Sequence, residues 1–144
     1  MKTFIFSVIG FCFILTGCAS IKSVSQNIWG SSITHLETAR VDSLYKTIPC
    51  EYQECYDAIK VMLDEGSYTV FQERPAKGLL VIMGVQEALN TTEVGIFLTP
   101  LSSEETEIEV ASLSTPAKKT FAEVLFTYLD NEFIHRELNT LDLE

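Results

Sequence analysis

Glu105–Leu113 reads ETEIEVASL, with Ile108 and Val110 on one side of an extended chain and Glu107 and Glu109 on the other. A period of two belongs to a strand in a sheet with one dry and one wet face. Three stretches upstream also read as strands. Glu93–Thr99, EVGIFLT, aligns Val94, Ile96 and Leu98 and is broken by Pro100. Gly78–Met83, GLLVIM, is apolar throughout, so both its faces are expected to be covered, with Gly78 as a turn residue. Tyr68–Glu73, YTVFQE, alternates and runs into a turn at Arg74-Pro75-Ala76. Further back, Ser43–Ile48, SLYKTI, is a short strand bounded by Pro49.

Two helices complete the pattern. Residues 51–64, EYQECYDAIKVMLD, place Tyr52, Cys55, Tyr56, Ile59, Met62 and Leu63 on one face, with Gly66 as the stop. Glu51, Glu54 and Asp57 suit the positive end of that helix. The last helix is expected to start with Thr115 as N-cap and Pro116 in the first turn. Phe121, Val124, Leu125, Tyr128 and either Leu129 or Phe133 form its apolar stripe, so Val124→Asp is expected to unfold the domain. The order β-α-β-β-β-β-α predicts an α+β fold over residues 43–144, an antiparallel sheet packed against helices in two layers.

The candidate chemistry is sparse. Cys50 and Cys55 are five apart. Within one helix their Cα atoms would lie about 8 Å apart, beyond bridge range, but a non-helical Cys50 could bend closer. A disulfide, two separately packed small residues, and thiol-redox or metal chemistry are the alternatives. The CxxxxC spacing is not that of the dithiol oxidoreductases, and no histidine lies near enough in sequence to complete a zinc set. His35 and His135 have no nucleophile at motif spacing; His135 beside Arg136 suits a helix C-terminus. Glu104, Glu105, Glu107 and Glu109 are expected to form a solvated sheet face, a surface that a basic protein partner could also use. Dinucleotide, phosphate-loop, zinc-protease and serine-hydrolase motifs are all absent, so no nucleotide or metal cofactor is expected.

The chain has 144 residues and a formal net charge of -10. That balance argues against nucleic acid as a partner and against an electrostatic grip on anionic lipid.

The N-terminus carries the most specific signal. Met1-Lys2 is followed by the apolar run FIFSVIGFCFIL from Phe4 to Leu15, which suits an export signal and is short for a bilayer span. Leu15-Thr16-Gly17-Cys18 follows and resembles the lipobox of bacterial lipoprotein precursors. The resemblance implies cleavage after Gly17 and a diacylglyceryl group on the Cys18 thiol. Loss of Lys2 would take the formal charge to -11. Ala19 and Ser20 follow, with no aspartate at the position that retains many such proteins at the inner membrane, so the periplasmic face of the outer membrane is favoured.

Residues 18–42 are expected to be the lipidated end and a spacer, with Ile28, Trp29 and Ile33 as a possible contact arm. The element order is similar to the helix-grip domains of the lipoprotein accessory to outer-membrane barrel assembly, and to many small bacterial lipoproteins of unknown function. The expectation is therefore a non-catalytic binding or scaffolding module, with an envelope protein or a lipid-like ligand as partner. A small envelope hydrolase or thiol-redox enzyme, using Cys50, Cys55 and His135, is the first alternative. A purely structural lipoprotein is the second.

Overall fold

The computed structural model describes residues 33–85 and 92–134. Residues 1–17, read as an export signal, and Cys18, Ile28, Trp29 and His135 lie outside them. The chain divides into two compact units, Met1–Thr34 and His35–Glu144. Ile33 and Thr34, the described residues of the first, are helical, and Ile33 is buried. In the second unit, helical residues 35–39 (α1) and a 3-10 turn at Arg40–Asp42 precede β1, Leu44–Ile48. There follow α2, Tyr52–Glu65; β2, Thr69–Arg74; β3, Leu79–Met83; β4, Val94–Pro100; β5, Thr106–Ala111; and α3, Thr115–Leu129. The fold is α+β in the order β-α-β-β-β-β-α after the short α1.

The five strands are antiparallel in the order β1-β5-β4-β3-β2. Register explains why the core is continuous. Ile82 faces Val94, Leu80 faces Ile96, Ile96 faces Val110, and Leu98 faces Ile108, so apolar side chains of one parity line up across three strands. Against that face pack Cys55, Tyr56, Ile59, Met62 and Leu63 from α2, and Phe121, Leu125 and Leu129 from α3. Each large side chain withdrawn from water contributes about 1.5–3 kcal/mol.

The turn into β3 needs a glycine. Gly78 has φ +60°, and a Cβ there would come 2.2 Å from the Leu98 carbonyl oxygen. The Leu98 N–H donates to Gly78 O at 2.8 Å, which fixes β4 against the turn.

Several expectations need correcting at residue level. Val124 is 44% exposed, because the buried stripe of α3 runs through Ala117, Lys118, Phe121, Ala122, Leu125 and Leu129. Val124 stands about 100° behind Leu125 around the helix, enough to put it at the rim. Ser114, not Thr115, caps α3; its Oγ accepts from Ala117 N at 3.4 Å, while Pro116 does occupy the first turn. Gly66 ends α2 as read from the sequence, with an ordinary φ of -76°, while the left-handed turn falls to Ser67 at φ 57°. Beyond α3 the chain widens into a π-turn, Asp130–Ile134, which buries Phe133.

The largest correction concerns the boundary. Residues 35–42 belong to the folded unit rather than to a spacer. Leu36 is 2% exposed, and one of its methyl groups lies 3.5 Å from where a Gly95 Cβ would stand. Gly95 therefore leaves room for Leu36 and for the Phe97 ring on the sheet face away from α2 and α3. Arg40 lays its guanidinium 4.5 Å from the Phe97 ring centre and pairs with Glu109 directly across from Phe97. Ser43 Oγ donates to the other Glu109 oxygen at 3.2 Å. Glu109 is thus a covered, paired carboxylate and not part of a plain solvated face. Glu107 is half-buried, while Glu104 and Glu105 are exposed.

Candidate binding surface along the β1 edge

β1 is the outermost strand on its side, and among the described residues no strand pairs with its outer edge. Its Asp42 end is fixed by a buried cation. Lys118, 3% exposed, donates to the Asp42 carbonyl and, at 2.6 Å, to the Asp42 carboxylate. The Lys118 hydrogen bond and charge hold the Asp42 carboxyl below the usual carboxylate range. The middle of β1 is held by Lys46, which pairs with Asp130 beyond the end of α3.

Two concavities flank this edge. The first is an open groove of about 410 Å3 between β1 and α3, lined by Ser43, Leu44, Tyr45, Lys119, Ala122, Glu123 and Phe126. Leu44 and Phe126 are half-buried at its floor, while Tyr45 is 69% exposed. The groove exists because β1 alternates. Leu44 turns toward the helices, but α3 offers it the small Ala122 and a Phe126 on the rim of its stripe.

The second concavity lies just past the other end of β1. Pro49 ends the strand, and Cys50 N–H donates to Ile48 O at 2.9 Å in a tight turn. Cys50 is non-helical, which brings its Cα to 5.8 Å from that of Cys55 and allows the disulfide that joins them. Thr106 Oγ1, buried, donates to Cys50 O at 3.0 Å and ties the junction to β5. Opposite stands the β4–β5 turn, where Leu101 and Ser102 N–H both donate to Glu105 O. Between them opens a recess of about 620 Å3 lined by Pro49, Cys50, Glu51, Glu54, Ser102, Ser103, Glu104 and Glu105. Four of these residues are acidic and none is basic.

The far side of the sheet differs. β2 is bulged between Val70 and Gln72. Tyr52 Oη donates to Pro75 O at 2.6 Å, and Tyr56 Oη and Lys60 Nζ converge on Glu73 Oε1 at 2.7 and 2.9 Å. The Lys60 hydrogen bond, then that of Tyr56, keeps the Glu73 carboxyl below its usual range. Burial, then the Glu73 carboxylate, pushes the Tyr56 phenol up.

Chemically the surface is suited to contact. Cys50 and Cys55 are buried and joined, leaving neither sulfur as a thiolate nucleophile. His35 is exposed on α1 and lines neither concavity. Among the described residues no group of three His, Cys, Asp or Glu side chains is placed to hold a metal ion, and no helix is long and apolar enough to cross a membrane.

Sequence reasoning singled out the cysteine pair and two of the four recess acids, Glu104 and Glu105. It also noted Glu51 and Glu54, but only as dipole partners. It missed Arg40, Asp42, Lys118 and the Leu44–Phe126 groove. A lysine at position 118, in helical register with Phe121, Ala122 and Leu125, was the available signal for the buried cation. No protein-family model and no curated protein matches the chain.

Proposed function

We propose that this chain is an exported lipoprotein, held to the bacterial envelope by acyl chains on Cys18, whose folded unit acts by binding a partner rather than by catalysis. The observation that carries the reading is the run from Phe4 to Leu15 closed by Leu15-Thr16-Gly17-Cys18. The Cys50–Cys55 disulfide supports it, since such bonds persist in oxidising compartments such as the periplasm. The periplasmic face of the outer membrane is the favoured site, given Ala19-Ser20 after the lipidation cysteine. An acyl anchor supplies membrane affinity of about 0.8 kcal/mol per buried methylene, which the acidic domain need not supplement.

For the binding role, support comes from the edge of β1, which pairs with no strand among the described residues, and from the concavities beside it. Fractionation of cells making the wild type and Cys18→Ser tests the tether. The wild type is expected in the membrane fraction and Cys18→Ser in the unprocessed or soluble fraction. A wild type recovered soluble, or a variant distributed identically, would contradict it.

A further inference from the structure

We propose that the β1 edge receives an extended segment of a partner protein that carries an apolar side chain and, about five residues away along the segment, a lysine or arginine. This deepens the binding reading above and rests on it. Three observations converge on one line of surface.

Among the described residues, no strand pairs with the outer edge of β1. The two outer strands of this sheet are treated differently. β2 has a bulge, the device that commonly turns an edge away from pairing, and Pro75 follows its last residue. β1 keeps unbroken register with β5 from Leu44–Val110 to Ile48–Thr106. Its one charged side chain, Lys46, is occupied by Asp130. Tyr45 and Thr47 are exposed. An added strand would find main-chain donors and acceptors along β1, the usual source of affinity in strand addition.

The groove and the recess then set the composition of that strand. At the Leu44 end, Leu44, Ala122 and Phe126 offer an apolar slot. Past Ile48, four acidic residues with no basic residue among them line the recess. Leu44 and Pro49 are separated by roughly 16 Å of strand, the span of five residues in an extended partner. Charge complementarity therefore selects a segment whose apolar residue sits over the groove while its cation reaches Glu51, Glu54, Glu104 or Glu105. The two ends discriminate together: a wholly apolar strand leaves the carboxylates unmatched, and a wholly basic one leaves the slot empty.

The test uses the full chain in the cells that make it, with photoreactive benzoylphenylalanine in place of Thr47 or, as control, of Val70 on the opposite edge. The crosslinked segment is sequenced by mass spectrometry. The expected result is an adduct at Thr47 about ten times more abundant than at Val70, on a segment with a cation about five residues from an apolar side chain. Combining Glu104→Gln with Glu105→Gln should lower that adduct about three-fold or more, with the loss greatest at low salt. Both residues are exposed and use only main-chain atoms in the turn, so the fold is expected to survive.

A Thr47 adduct with a second copy of this chain, or with a segment lacking cations, would overturn the proposal while leaving a binding role intact. Equal adducts at both edges would overturn the choice of β1. No adduct at either would remove the proposal and the support for binding together.

Discussion

The two faces of the sheet are built on different principles. Toward α2 and α3 every central strand contributes aliphatic side chains in register, and the helices return Phe121, Leu125, Ile59 and Leu63 to meet them. On the other face Leu79 and Phe97 are buried in register with Glu109, and Leu36 and Arg40 lie over Gly95 and Phe97. The first face is held by dispersion and the exclusion of water, non-directional and large. The second also buries Leu36, Leu79, Val81 and Phe97, and adds an aromatic–cation contact, an ion pair and a hydroxyl hydrogen bond, directional and individually small. The difference teaches where stability resides and where the chain can be altered without unfolding.

The largest expected effect is on the helix face. Phe121 is fully buried and meets Tyr68 edge-on at 5.2 Å. Phe121→Ala should cost about 3–5 kcal/mol in urea unfolding. A loss under about 1 kcal/mol would mean that the aromatic is not a keystone of this face. On the other face, Arg40→Ala removes the Phe97 and Glu109 contacts together and should cost roughly 1 kcal/mol. A cost equal to that of Phe121→Ala would erase the contrast.

The Asp42–Lys118 pair sharpens the comparison through pH. The Asp42 carboxyl is lowered in the folded state, so its stabilising share is complete above the ordinary carboxylate value, about 3.9, and is lost as pH falls through the lowered value. The melting temperature of wild type should exceed that of Asp42→Asn at pH 7, and the gap should close in acid. A gap independent of pH would show that the charge is not what holds the turn. Smallest of all, Val124→Asp should change stability by no more than about 0.5 kcal/mol, since Val124 lies at the exposed rim of α3.

The same contrast explains what could be read from the sequence. The helix face was legible because burial there is periodic: Ile108 and Val110, Val94, Ile96 and Leu98, and the α2 stripe all repeat at strand or helix spacing. The last helix was read correctly in place but about one position off in its rim and cap. Val124 is apolar without being buried, and Ser114 and Thr115 are both able caps. The other face was not legible. Its cover comes from residues 35–42, whose mixed HLETARVD pattern has no period, and its contacts join Arg40 to Glu109 across 69 positions.

The cysteine pair was legible as a possibility only. Its resolution depended on Pro49 and the tight turn at Cys50, which place the two residues on different backbone geometries. Of the surface along β1, the acids were visible in sequence, but their convergence from the β1–α2 junction and the β4–β5 turn required the register of β1 on β5.

The central claim is an exported, lipid-held domain stapled at the β1–α2 junction. Intact mass spectrometry of the membrane-extracted protein, alkylated with and without prior reduction, tests it most directly. The account predicts the mass of residues 18–144 plus acyl chains, with Cys50 and Cys55 alkylated only after reduction. A full-length mass without acyl groups, or two thiols modified before reduction, would contradict it.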